Sequence, residues 1–84
     1  MNKIPSIISN NKIEEFLKSV SEKVKVERKK KNMSQMELAH LIGIKSVAFY
    51  SNAENLKNGK HFNLSQLYKI SKVLEIPTKE LIPD

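Results

Sequence analysis

The side chains of this sequence that can do chemistry are amides, amines and hydroxyls crowded between positions 35 and 60. They are Gln35, Lys45, Ser46, Ser51, Asn52, Lys57 and Lys60, with Val47 and Ala48 set among them. Ammonium groups and amides suit phosphate oxygens, an asparagine amide can pair with an adenine edge, and methyl groups suit a thymine methyl. Catalysis and metal binding find no comparable set. The chain has no cysteine, and its two histidines, His40 and His61, have no clustered carboxylates around them. No cofactor, metal or enzymatic site is therefore expected. Phe49, Tyr50 and Phe62 are expected in the core, because they do not alternate with basic residues on a strand as a base-stacking platform requires.

Charge narrows the partner. Fifteen Lys and Arg face nine Asp and Glu in 84 residues, a net charge of +6. Such an excess attracts polyanions through its long-range field, but charge alone does not separate DNA from RNA or an anionic membrane. Lys23, Lys25, Arg28, Lys29, Lys30 and Lys31 lie close together, while Glu75 and Glu80 lie far away. The lysines at 29 to 31 also complement a helix C-terminus, which is reason enough for most of that run. Eighty-four residues make one small domain, which buries only roughly 60% of its unfolded surface. No apolar run approaches a membrane span and no signal-peptide core follows Met-Asn-Lys, so a cytoplasmic protein without membrane contact is expected.

These residues need elements to position them. With two glycines, three prolines and no period-2 alternation, the pattern predicts an all-α fold of five helices. Residues 1–11 form a flexible N-terminal arm bearing Ile4, Ile7 and Ile8, and residues 12–84 form the domain. The first helix spans about 12–31, with Ile13, Phe16, Leu17, Val20 and Val24 as its apolar stripe. Ser34 and Glu37 make a capping box for a second helix over about 34–42, stapled by Met33 and Leu38 and ended by Gly43. Ser46 caps a third over about 46–55, with Phe49, Ala53 and Leu56 along one side. A lysine-bearing loop precedes a fourth helix capped by Asn63. Ile76-Pro77 breaks that helix, and a short fifth starts at Thr78.

The stretch from Val24 to Ile82 resembles the Xre/Cro/phage-repressor family of helix-turn-helix proteins. The resemblance rests on Arg28-Lys-Lys-Lys-Asn-Met-Ser34-Gln35-Met-Glu37-Leu38-Ala39, on Gly43-Ile44, on Ser51-Asn-Ala-Glu54-Asn55, and on Leu67 through Leu81. It implies a compact five-helix bundle of the phage-repressor DNA-binding type, whose third helix enters the major groove. It further implies a homodimer on a pseudo-palindromic operator, a phosphate contact and a brace from Gln35, and a structural ion pair between Arg28 and Glu54. Two departures stand out. Gly43 to Glu54 is eleven residues where the family usually has ten, which shifts the base-facing register by up to one. Leu56 stands where a glycine often follows Glu-Asn, and the glycine arrives later as Gly59.

The expected function is a sequence-specific regulator of transcription, a repressor, bound to double-stranded DNA. Gln35, Lys45, Lys57 and Lys60 are its candidate phosphate contacts. Ser46, Val47, Ala48, Ser51 and Asn52 are its candidate base contacts. Without an arginine on the third helix, guanine readout from it is not expected. The alternative is a protein-interaction module, such as an antitoxin or phage adaptor, with residues 1–11 as the contacting segment. A membrane-surface role for residues 12–31 fits poorly, because that helix lacks Trp and a wide apolar face.

Overall fold

The computed structural model describes residues 8–82, so Ile4 and Ile7 of the expected arm lie outside the described residues. Four α-helices follow one another: α1 (Asn10–Lys30), α2 (Gln35–Leu41), α3 (Val47–Asn55) and α4 (Leu64–Leu74). A single 3-10 turn, Thr78–Glu80, closes the described chain, and no strand occurs among the described residues.

Short side chains set the boundaries. The Ser9 hydroxyl accepts from the Lys12 N–H and starts α1, two positions earlier than the sequence pattern suggested. Ser34 and Glu37 form a reciprocal capping box at α2, Ser46 caps α3, and Asn63 and Gln66 form a second box at α4. Each box satisfies two backbone donors that a helix start leaves without partners. Gly43 ends α2 at φ +82°, and the Ile44 N–H returns to the Ala39 carbonyl at 2.9 Å. A side chain at Gly43 would meet nothing within 4 Å, so backbone conformation rather than space calls for glycine there.

The fold departs from expectation at its end. Four helices and one turn replace five helices, because Thr78–Glu80 closes through i→i+3 bonds, Glu80 to Pro77 and Leu81 to Thr78. Pro83 has no N–H to return to the Lys79 carbonyl, so the turn cannot lengthen into an α-helix past Ile82. The short turn still buries Leu81 completely.

The core gathers one face from each helix. Val20 and Val24 of α1, Leu38 and Ala39 of α2, Tyr50 and Ala53 of α3, and Leu67, Ile70 and Leu74 of α4 are all buried. Tyr50 and Phe62 pack ring to ring with centroids 5.3 Å apart. Ala39 is small where α2 and α3 approach each other. The stripe along α1 is covered only in its later half: Val20 and Val24 are buried, whereas Ile13 and Phe16 are 45% and 43% exposed. No described helix is long and apolar enough to cross a membrane.

Candidate nucleic-acid interface

α3 has two faces that differ in kind. Tyr50, Ala53 and Glu54 point inward and are buried. Helical spacing therefore turns Ala48, Ser51, Asn52 and Asn55 outward, with Val47 and Phe49 at the two edges. Ala48 and Val47 are exposed, Ser51 and Asn52 are half-buried, and Phe49 is half-buried rather than core. The Ser46 hydroxyl accepts from the Phe49 N–H at 3.1 Å, so it is occupied as a cap. The Asn52 side chain makes no hydrogen bond among the described residues. Asn55 is committed: its amide donates to the Ser51 carbonyl at 2.9 Å and accepts from the Lys25 ammonium at 3.1 Å.

The inward face is held by one carboxylate. Glu54 Oε2 accepts from Arg28 Nε at 2.9 Å and from the Tyr50 hydroxyl at 2.7 Å. Its Oε1 accepts from Arg28 Nη2 at 3.0 Å and from Gln35 Nε2 at 2.9 Å. Arg28 Nη1 donates to the Met33 carbonyl at 2.7 Å, at the turn into α2. Four donors from three helices thus converge on one buried group, and Ser21 of α1 adds a bond to the Ala53 carbonyl at 3.1 Å. Burial would raise the Glu54 carboxyl, but the hydrogen bonds from Arg28, Tyr50 and Gln35 outweigh it and hold it below the ordinary glutamate value. Burial, reinforced by the hydrogen bond to Glu54, pushes the Tyr50 phenol well up, so it stays a donor at any ordinary pH.

Basic residues flank this helix. Lys45 is exposed on the segment before α3, near a shallow groove lined by Met36, His40, Ile44 and Val47. After α3, Leu56 takes φ +55°, the left-handed conformation for which glycine is the usual residue. Asn58 and Gly59 follow at φ +57° and +70°, and the Lys60 N–H donates to the Lys57 carbonyl at 3.0 Å. Both central residues being left-handed defines a type I′ turn, which exposes Lys57 and Lys60 at its shoulders. Lys30 and Lys31, by contrast, pair with Glu27 at 3.3 Å and Glu75 at 3.0 Å.

Every candidate from Lys45 to Lys60 thus lies on α3 or its flanks, while Gln35 is turned inward onto Glu54. Sequence reasoning placed Tyr50 in the core but missed its bond to Glu54, and it missed the contacts of Asn55. Tyr50 stands four residues before Glu54, the spacing that stacks two side chains on one helix face. The Ser21 and Lys25 contacts span 32 and 30 residues and carry no local signal. His40 and His61 belong to no metal-capable cluster among the described residues.

A family model described as helix-turn-helix matches residues 24–81, from the buried part of α1 to the closing turn. Searches of curated proteins and of solved structures return no match.

Proposed function

The chain belongs to the Xre-type helix-turn-helix family, and from that premise we propose that it is a sequence-specific repressor that binds operator DNA as a homodimer. The family supports a DNA-binding regulator. The observation that carries the finer reading is the four-donor Glu54 carboxylate, which fixes α3 with Ala48 and Asn52 facing outward. In this reading Asn52 pairs with adenine, Ser51 flanks it, and Val47 and Ala48 meet thymine methyls. Lys45, Lys57 and Lys60 neutralise phosphates with Gln35 beside them, and Ser46 is a cap first and a DNA contact second. The working compartment is the cytoplasm, where its DNA is.

A homodimer places two such helices on one operator, since a single module of this size contacts few base pairs. A groove lined by Phe16, Leu17, Val20, Phe62, Leu64 and Ile82, almost wholly apolar, shares no residue with α2 or α3. It leaves self-association and DNA binding free to occur together. The same groove favours the second reading, a protein-interaction module of the antitoxin or adaptor kind.

Titrating the chain with duplex DNA across 50–200 mM salt tests the proposal. If a dimer neutralises six to ten phosphates, affinity should fall on the order of 10³–10⁵-fold over that range. A flat response would sink the DNA reading. Light scattering decides the dimer: Leu64→Glu, at a side chain 76% exposed, should yield monomers without unfolding the domain. A wild type that is monomeric at high concentration would leave the groove to another protein.

A further inference from the structure

We infer that Phe49 is a positioning residue for phosphate binding, its ring seating Lys60 as one half of a two-lysine clamp. The inference rests on the DNA-binding reading above. Three observations carry it. First, the Lys60 ammonium lies 5.6 Å from the centroid of the Phe49 ring, within reach of the ring's negative face. Second, the Lys57–Lys60 turn is closed by its own backbone hydrogen bond, which brings the two lysines to neighbouring backbone positions. Third, the Lys57 N–H donates to the Asn52 carbonyl at 2.8 Å, tying that turn to the last turn of α3.

The chemistry of the seat matters. A carboxylate partner would orient a lysine but cancel its charge, as Glu27 does for Lys23 and Lys30. Among the described residues no carboxylate lies within ion-pair distance of Lys57 or Lys60. An aromatic ring orients the ammonium and leaves its full charge for a phosphate. It also restricts a flexible side chain before binding, which lowers the entropy lost when the contact forms. Phe49 sits at the edge of the outward face, beside Ala48 and three residues before Asn52. The clamp therefore flanks the base-reading positions, and the Asn58-Gly59 turn is what creates it.

The test measures duplex binding against salt for the wild type, Lys60→Gln, Phe49→Leu, Phe49→Tyr and the Phe49→Leu/Lys60→Gln double variant. Lys60→Gln should reduce the slope of log affinity against log salt by about 1, equally on preferred and random sequences. Phe49→Leu should weaken binding about two- to fivefold on all sequences, and Phe49→Tyr should restore it. The double variant should bind no worse than Lys60→Gln alone. An NMR readout separates positioning from core packing: the Lys60 ε-methylene protons should be shifted upfield by the ring in the free wild type and in Phe49→Tyr. Their appearance at ordinary lysine positions would overturn the seat whether or not Phe49→Leu folds. A wild type that ignores duplex DNA would sink the DNA reading itself. A wild type that binds, with Phe49→Leu and Lys60→Gln losses that simply add, would overturn this inference alone.

Discussion

The two faces of α3 both carry polar side chains and put them to opposite use. On the inward face Tyr50 and Glu54 spend every polar group on partners inside the molecule, and Arg28 and Gln35 complete the set. On the outward face Ala48 has none to spend, and the Asn52 amide is unengaged among the described residues. Buried polar groups need full satisfaction because no water is there to replace a missing partner. A surface meant to meet another molecule gains by leaving its groups open. In the proposed reading, that difference separates what aims the helix from what the helix reads.

Removing the aiming group should have the largest effect. Glu54→Ala strands the Arg28 guanidinium in a site where it is only 7% exposed, and deprives Tyr50 and Gln35 of their acceptor. A loss of about 3–5 kcal/mol is expected, seen as a collapse of the urea midpoint, because a charge is left without its counter-ion. A loss under about 1 kcal/mol would mean the pair behaves as an exposed one. Acid should do the same more gently. The folded Glu54 carboxyl lies below its unfolded value, so its contribution is complete above about pH 4.5 and fades as pH falls toward the folded value. A chemical-denaturation series from pH 7 to pH 3 should show that decline in the wild type. A Glu54→Gln variant should lack this component of it.

The outward face predicts the complementary behaviour. Asn52→Ala should leave stability nearly unchanged and cost about 1–3 kcal/mol on the preferred operator, with almost nothing lost on random DNA. Selection of bound sequences checks this, and an unchanged preference would move the distal contact to Ser51. The smallest effect is a control away from both faces. Glu75 ends α4 at φ +61°, and its ion pair with Lys31 is exposed. Glu75→Gly should raise stability by about 0.5–1 kcal/mol through relief of the left-handed conformation, with DNA affinity untouched.

Much of this was legible in the residues, for local reasons. Ser34 with Glu37, Ser46, and Asn63 announce helix starts because a short polar side chain before an apolar stripe has one efficient use. The Arg28–Glu54 pair came through family resemblance; composition alone would have left both as surface charges. Asn58-Gly59 is the dipeptide of a type I′ turn, a local signal that defines the shape of the loop as well as its presence. Leu56 is different. Nothing local draws a leucine into the left-handed region, so it is held there by how α3 and the following loop meet. The last helix is one turn long, because Pro83 lacks the N–H that extension would need. The long stripe of α1 gave no hint of where its cover would stop, because periodicity records which face is apolar and not how far the neighbours extend.

The shortness of α2 and α3 has a bearing on how the domain comes apart. Segments of seven and nine residues do not persist as isolated helices, since nucleation costs more than so few hydrogen bonds return. What keeps them helical is the set of bonds that Glu54 draws from Arg28, Gln35 and Tyr50, together with the core beneath. Melting of either helix costs the other a partner, because each contributes to the same carboxylate. Their amides therefore belong to one opening unit with the later half of α1, and hydrogen exchange from α3 should report the global unfolding free energy rather than local fraying.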